Sequence, residues 1–179
     1  KMGANVKIKD GYVIASAKKG LKGILIKFPK ISVGATENVL IASCYAKGKT
    51  KLRNCAIEPE VKDLIAFLKK AGCKIKWVGK RDIDITGIKK LKQIQHKVIF
   101  DRIEAGTYII AAAITNGKLK ISNINPSAIN TELKVLRKMG VNIIRKKNYL
   151  IVTSSEKLKG INISTEPYPG FPTDLQAQI

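Results

Sequence analysis

A glycine recurs along this chain at nearly constant spacing, each time between a helix-like ending and a pair of short strands. Lys1-Met2-Gly3, Lys69-Lys70-Ala71-Gly72 and Arg137-Lys138-Met139-Gly140 mark the period, with gaps of 72 − 3 = 69 and 140 − 72 = 68. After each glycine the pattern reads strand, turn, strand: Val6-Lys7-Ile8-Lys9 then Tyr12-Val13-Ile14-Ala15, Lys74-Ile75-Lys76-Trp77 then Asp82-Ile83-Asp84-Ile85, and Val141-Asn142-Ile143-Ile144 then Tyr149-Leu150-Ile151-Val152. A further apolar stretch and a helix start follow each pair. The later part recurs too, since Lys47-Gly48-Lys49-Thr50-Lys51-Leu52-Arg53-Asn54 aligns with Asn116-Gly117-Lys118-Leu119-Lys120-Ile121-Ser122-Asn123. The unit is β-α-β-α-β-β, an α/β module that must stack on its copies to bury its faces.

The two helices of a unit differ in kind. Residues 33–46 and 103–115 are apolar nearly all round, as in Ile109-Ile110-Ala111-Ala112-Ala113-Ile114, which is the pattern of a buried helix. Residues 60–71 carry one stripe, Val61, Leu64, Ile65 and Leu68, opposite Lys62, Asp63, Lys69 and Lys70, and residues 131–139 do likewise with Leu133, Leu136 and Met139. Three such units together would place the apolar helices at the centre and sheets outside. Residues 93–100 read as a crossing between two domains, 1–97 and 98–179. His96 there reads as a solvated linker residue, because nothing with acid or base character adjoins it in sequence.

Composition narrows the function. An apolar share of 45% is that of a globular protein, and no apolar run approaches the roughly 20 residues of a membrane span, so no membrane partner is expected. The opening Lys1-Met2-Gly3-Ala4-Asn5 runs straight into strand-like alternation, so no leader is expected. Cys44, Cys55 and Cys73 lack C-x-x-C spacing and the single His is no partner for them, which argues against a metal site. An odd number of thiols fits a reducing cytosol. The formal charge of +21 invites a nucleic-acid reading. Yet the cations are mostly Lys spread along strands and outer helix faces, with five Tyr and no Arg-rich cluster, which is poor material for a stacking platform. A solvated basic surface, or one suited to anionic substrates, fits better.

Four segments have the makings of a site. Lys30-Ile31-Ser32-Val33-Gly34-Ala35-Thr36 follows Pro29 and opens an apolar helix. Ser32 suits the N-cap, Gly34 lets a ligand approach the backbone, and Lys30 adds an ammonium, so a phosphate or diphosphate is the natural guest. Glu58-Pro59-Glu60 puts two carboxylates where a helix dipole favours them. Asp101-Arg102-Ile103-Glu104 reads as an N-cap Asp with an acidic residue at N3, a start of the capping-box kind. Arg102 opposes the dipole there, which points to a carboxylate or phosphate partner. Finally Phe171-Pro172-Thr173-Asp174-Leu175-Gln176-Ala177-Gln178 sets Asp174 in a first helical turn, where it caps or grips a hydroxyl.

Together these four segments resemble the UDP-N-acetylglucosamine enolpyruvyl transferase family (UDP-N-acetylglucosamine 1-carboxyvinyltransferases). The resemblance implies an inside-out α/β barrel of repeated β-α-β-α-β-β units, with residues 1–97 the last part of one domain and 98–179 the first part of the second. It implies transfer of the enolpyruvyl group of phosphoenolpyruvate to the 3-hydroxyl of UDP-N-acetylglucosamine with release of phosphate, without a cofactor. That is the first committed step of peptidoglycan synthesis in the bacterial cytoplasm, hence of cell-wall biogenesis, cell shape and division.

By position, Lys30, Ile31, Ser32, Val33 and Gly34 then hold the nucleotide diphosphate. Asp174 takes the proton of the attacking hydroxyl while also capping, with Thr173 beside it. Glu58, Glu60, Asp101 and Arg102 line the cleft. The family's catalytic Cys, Asp in some members, lies on an upstream loop that Cys44, Cys55 and Cys73 do not match, so the chain is expected to be a middle fragment without turnover of its own. Ile57 stands where the family usually has Arg, and Ala105 where it has Thr. Incomplete domain faces would favour self-association.

Two other families fit the residues less well. The sister enzyme 5-enolpyruvylshikimate-3-phosphate synthase shares the fold but lacks the Phe-Pro-Thr-Asp run. An RNA 3′-terminal phosphate cyclase-like enzyme would use the basic charge but needs a catalytic His.

Overall fold

All three glycines of the sequence period hold left-handed backbone, with φ of 93° at Gly3, 106° at Gly72 and 102° at Gly140. A side chain is strained there, so glycine is a conformational requirement at the helix-to-strand corners of Gly72 and Gly140 and ahead of the first strand at Gly3. The computed structural model describes residues 1–153 and 157–179. Its contacts divide into two compact units, Lys1–Lys97 and Val98–Ile179.

The first unit opens with a hairpin of its own, β1 (Asn5–Lys9) and β2 (Tyr12–Ser16), closed by Asp10 and Gly11 with φ of 50° and 78°. Two positive φ values in a two-residue loop give a turn whose twist suits a tight hairpin. Then come β3 (Leu25–Lys27), α1 (Val33–Ser43), β4 (Lys49–Arg53), α2 (Pro59–Lys70), β5 (Lys74–Gly79) and β6 (Asp82–Thr86). This is the β-α-β-α-β-β order expected from the sequence.

The strands form one sheet in the order β3-β4-β6-β5. β3 runs parallel to β4 across the α1 crossover, and the other pairs are antiparallel. Period-two burial on β4 and β6 turns Leu52, Ile83 and Ile85 inward. They meet Leu40 of α1 and Val61, Ile65 and Leu68 of α2 in one apolar cluster. Each such side chain contributes about 1.5–3 kcal/mol by leaving water. On the opposite face of the sheet stand Lys49, Lys51, Lys74 and Lys76, all exposed.

Two expectations are corrected here. α1 is not buried all round: Thr36, Leu40 and Ser43 are buried, whereas Ile41 is 55% exposed. Its apolar circumference exceeds what one sheet and one neighbouring helix cover. Nor is His96 a solvated linker residue. Its Nε2 lies 3.0 Å from Asp63 Oδ1 on α2, with side-chain exposures of 10% and 15%. Its ring meets Phe67 edge-on at 5.5 Å between centroids. The partners are 33 positions away in sequence, so adjacency along the chain could not reveal them. Residues 87–97, outside any helix or strand, are thus laid back onto α2, with Lys92 N–H also donating to Ala71 O at 2.8 Å.

The second unit runs α3 (Arg102–Ile114), β7 (Lys118–Ser122), a 3-10 turn Pro126–Ile129, α4 (Asn130–Lys138), β8 (Asn142–Arg145) and β9 (Tyr149–Thr153). The sheet order β7-β9-β8 reproduces β4-β6-β5. The register repeats as well, Lys49 facing Thr86 in one unit and Lys118 facing Thr153 in the other. Asn54 and Asn123 close their strands in the same left-handed state, with φ of 62° and 59°. Ile109 and Ile110 of α3, Leu133 and Leu136 of α4, and Leu150 and Val152 of β9 form the core. As on α1, part of the apolar surface of α3 is open, with Tyr108 54% and Ile114 70% exposed. Among the described residues no helix is long and apolar enough to cross a membrane.

Candidate functional site

The candidate residues of the first unit gather at the openings of its two helices. Ser32 is the N-cap of α1, in extended backbone, with its Oγ accepting from Ala35 N–H at 3.2 Å. Thr36 N–H reaches Ser32 O at 3.1 Å, which leaves the amides of Val33 and Gly34 without a protein acceptor among the described residues. A β-carbon at Gly34 would meet nothing within 4 Å, so the space over this backbone is open. Lys30 is exposed, two residues before the cap, and Ile31 packs against the core below. Two free N–H groups, a positive dipole end and one ammonium are what an anion needs.

Thr36 ties the second helix opening to the first. Its Oγ1 donates to Ser32 O at 2.7 Å and accepts from Ala56 N–H at 3.0 Å, fixing the segment between β4 and Glu58. Glu58 occupies the cap position of α2, 4% exposed, with no side-chain cap bond; Pro59 opens the helix and Glu60 stands in its first turn. Glu37 of α1 is a carboxylate that sequence reading passed over. Burial raises its pKa, and the charges of Glu60 and Glu58 raise it further, so the three acids lie within electrostatic reach of one another. No spacing signal tied Glu37 to Glu58, because they sit on different helices.

In the second unit Asp101 caps α3, its Oδ1 accepting from Ile103 N–H at 2.7 Å and Glu104 N–H at 3.2 Å. The reciprocal half of a capping box is missing: among the described residues the exposed Glu104 side chain returns no bond to Asp101. Arg102, expected to seek a carboxylate or a phosphate, has found Glu132 of α4. Its Nη1 is 3.3 Å from Glu132 Oε1, and both side chains are nearly sealed, at 8% and 2% exposure. The guanidinium also lies 5.8 Å from the centre of the Tyr168 ring. Neither Glu132 nor Tyr168 was legible as a partner, since the contacts join separate elements.

Asp174 lies in a single 3-10 turn, Thr173–Leu175, with Pro172 at its cap position. Its expected capping role is corrected, because that turn has no side-chain cap bond and its cap is a residue without a polar side chain. Asp174 is exposed, and among the described residues its carboxylate has no hydrogen-bond or ion-pair partner. Its neighbours are anchored instead: Phe171 is 3% and Leu175 0% exposed in the core cluster. Gln178 Nε2 donates to Thr107 Oγ1 of α3 at 3.2 Å. The turn thus offers Thr173 and Asp174 to solvent from a fixed base.

The cysteines take no part. Cys44, Cys55 and Cys73 are all buried. Burial pushes the Cys44 and Cys55 thiols up to about 12, Cys44 also through its contact with the Cys73 thiol. Among the described residues no group of three or more His, Cys, Asp or Glu could hold a metal ion.

Comparison with known proteins places this geometry. The family model for EPSP synthase (3-phosphoshikimate 1-carboxyvinyltransferase) matches residues 1–179. UDP-N-acetylglucosamine 1-carboxyvinyltransferase of Pelagibacter ubique is 59% identical over 179 residues, covering 100% of this chain and 43% of that protein. The protein of the same name from Endomicrobium trichonymphae is 48% identical over 178 residues, covering 99% and 43%. The chain therefore spans less than half the length of the curated relatives it matches. Among solved structures, the enolpyruvyl transferase NikO from Streptomyces tendae superposes with a TM-score of 0.87 at 23% identity, over 99% of this chain and 45% of that one. An EPSP synthase from Acinetobacter baumannii gives 0.62 at 23% identity, over 91% and 39%. The structural likeness shows a shared enolpyruvyl transferase fold, and the match over all 179 residues shows that this chain belongs to the EPSP synthase (3-phosphoshikimate 1-carboxyvinyltransferase) family.

Proposed function

We propose that this chain is the middle portion of an enzyme that transfers the enolpyruvyl group of phosphoenolpyruvate to the 3-hydroxyl of UDP-N-acetylglucosamine. The observation that carries this is the 59% identity over the whole chain to a protein of that activity's name. Relatives from Pelagibacter ubique, Endomicrobium trichonymphae and Gluconacetobacter diazotrophicus, at 59%, 48% and 43% identity, bear the sugar-nucleotide name, which favours it over the shikimate-pathway enzyme. In the reaction, the sugar oxygen bonds to the vinyl carbon, the bond from that carbon to the phosphate oxygen breaks, and phosphate leaves. Residues 1–97 belong to one domain of the whole enzyme and 98–179 to the other.

In this reading the opening of α1 holds the diphosphate: Lys30 supplies a charge, the Val33 and Gly34 amides supply donors, and Ser32 and Ile31 fix the loop. Asp174 takes the proton of the attacking hydroxyl, which requires its carboxylate within about 3 Å of that oxygen. Its lack of a protein partner leaves both oxygens available. Thr173 positions the substrate beside it. Glu58, Glu60 and Asp101 serve the cleft by shaping the helix openings, and Arg102, held by Glu132, stiffens the base of α3. The enzyme works in the bacterial cytoplasm on peptidoglycan precursors and so contributes to cell shape and division.

The deciding experiment is calorimetric titration of UDP-N-acetylglucosamine into the folded chain. Weak binding is expected, diminished at least tenfold by Lys30→Ala and by Asp174→Ala. Binding untouched by both substitutions would overturn the assigned roles. No turnover is expected from the 179-residue chain. The open faces around Ile41 of α1, Ile114 of α3 and the β1-β2 hairpin favour self-association of this chain, and a monomer by light scattering at high concentration would refute that.

A further inference from the structure

The second unit carries a basic cavity that uses none of the residues assigned above. About 460 Å³ in volume, it is lined by Asn125, Pro126, Ser127, Arg145, Lys146 and Lys147. Three successive cations at the tip of the β8-β9 hairpin share it with the residues that open the 3-10 turn before α4. Arg145 is held in place there. Its Nη2 donates to Ser127 Oγ at 2.7 Å and its Nη1 to Asn130 Oδ1 at 3.2 Å. Ser127 Oγ accepts in that bond, so its own hydroxyl hydrogen is free to donate, as is Arg145 Nε–H. Among the described residues no carboxylate pairs with Arg145, Lys146 or Lys147.

The repeat shows that this arrangement is not inherent to the module. Ile124 N–H bonds Asn148 O in the second unit just as Cys55 N–H bonds Arg81 O in the first, which aligns the two hairpin tips. By strand register Trp77, which faces Ile83, corresponds to Arg145, which faces Leu150, with Val78 the extra residue of a bulge; Gly79 and Lys80 then correspond to Lys146 and Lys147. The first unit's Arg81 turns inward, donating to Cys55 O at 3.1 Å, and the helix opening beside its hairpin carries Glu58 and Glu60. At the same distance from the strand end, the second unit has Ser127 and Ile129. Acids have been exchanged for a hydroxyl and an alkyl group while cations have been added. Uncompensated like charges around a hydroxyl donor are matched by a compact multivalent anion, and a pre-positioned guanidinium suits phosphate oxygens.

We propose that the cavity at the β8-β9 tip binds a phosphate group of a small molecule, with Arg145 as its fixed donor, Lys146 and Lys147 as closing charges and Ser127 as a hydroxyl donor. Pyrophosphate and inorganic phosphate are the probes, titrated separately into the ¹⁵N-labelled chain and followed by amide shifts. Saturable shifts of the Ser127, Lys146 and Lys147 amides are expected, with a Kd on the order of 1 mM or tighter for pyrophosphate. The Lys146→Ser/Lys147→Ser double variant, which leaves Arg145 and its hydrogen bonds in place, should weaken binding at least tenfold while the rest of the spectrum is kept. Arg145→Lys should weaken it as well, because an ammonium cannot hold Ser127 and Asn130 together. Lys30→Ala should leave these shifts unchanged, which separates this site from the diphosphate segment proposed for α1. Absence of saturable shifts at the tip, or equal affinity in the double variant, would overturn the proposal.

Discussion

The side chain of Leu175 fills the space that a β-carbon at Gly106 would need. That carbon would lie 2.6 Å from Leu175 Cδ1 and 3.2 Å from Cδ2. Gly106 is buried on α3, and Leu175 is 0% exposed, so neither can give way into solvent. The contact seats the turn that carries Thr173 and Asp174 on α3, and Gln178 reinforces it through Thr107. A glycine in mid-helix costs roughly 0.5–1 kcal/mol against alanine. Here a β-carbon would press on Leu175, and so on the turn that carries Asp174.

Gly106→Ala should therefore destabilise the chain despite its better helix propensity. Overpacking of this kind costs about 1–3 kcal/mol, which exceeds the propensity gain at the upper end of the range. For a chain of this size a net loss of 1 kcal/mol lowers Tm by about 2–4 °C. Adding Leu175→Ala should recover part of that loss, a coupling that a double-mutant cycle of thermal melts would read. Unchanged Tm in Gly106→Ala would show that Leu175 rearranges freely and that the seat is not rigid.

Asp84 supports a prediction about acid stability. It lies 3.1 Å from Lys49 Nζ and 3.1 Å from Arg53 Nη1 on the outer face of the first unit's sheet. Burial by itself raises its pKa, but the hydrogen bonds and charges of Lys49 and Arg53 outweigh that and hold the carboxyl below its ordinary value. A depressed folded pKa contributes stability above the unfolded value, about 3.9, and loses it as pH falls through the lower folded value. Asp84→Asn should lower Tm by roughly 2–4 °C at pH 7. The gap to the parent should begin to narrow near the unfolded value, about pH 4, and close only below the lower folded value. A gap that persists unchanged at acid pH would show that the effect comes from packing.

The elements themselves were open to sequence reading because their signals are local. The stripe Val61, Ile65 and Leu68 marks α2, alternation marks Ile83 and Ile85 on β6, and Ser32 and Asp101 mark the helix starts. Repetition strengthened each of these, since a pattern seen twice is less prone to accident. What stayed hidden depends on contacts between elements: Arg102 with Glu132 across 30 positions, His96 with Asp63 across 33, Gln178 with Thr107 across 71. Asp174 lay between the two cases. Its place in a first turn was readable, but Pro172 takes the cap position, and only the packing of Phe171 and Leu175 shows how the turn is held.

Glu37 offers a test of the acidic cluster in the first unit. Burial, then the charges of Glu60 and Glu58, raise its pKa above the ordinary glutamate value. A carboxyl whose folded pKa is raised favours the folded state only while protonated. Its contribution is full below the unfolded pKa, about 4.3, and is lost as pH rises through the folded value. Glu37→Gln should thus raise Tm by about 1–2 °C at neutral pH, the scale of a surface substitution. It should do nothing at pH 3.5–4, where both states are largely protonated, about or below the unfolded pKa. A lowered Tm at pH 7 would mean that Glu37 makes a favourable bond that outweighs its repulsion.

The three thiols should behave as core atoms and not as nucleophiles. Cys44, Cys55 and Cys73 are 1%, 0% and 5% exposed, and the Cys44 and Cys55 thiols are pushed up to about 12. For Cys44 the cause is burial first and the neighbouring Cys73 thiol second; for Cys55 it is burial, then the charge of Asp82, against the lowering effect of Arg53 and Arg81. The reactive species is the thiolate, so a disulfide reagent at pH 8 should label the native chain slowly and all three thiols at once after denaturation. Raised thiol pKa values also fix the sign of the alkaline response. Their stabilisation is complete below the unfolded value, about 8.5, and is lost as pH climbs through the folded value of about 12. Cys55→Ala should make the fall in Tm across pH 9–11 shallower, even if it lowers Tm at pH 7 by leaving a small cavity. Fast labelling of the native chain at pH 8 would instead show that the core around Cys44 and Cys73 opens readily, and the packing between α1 and β5 would need revision.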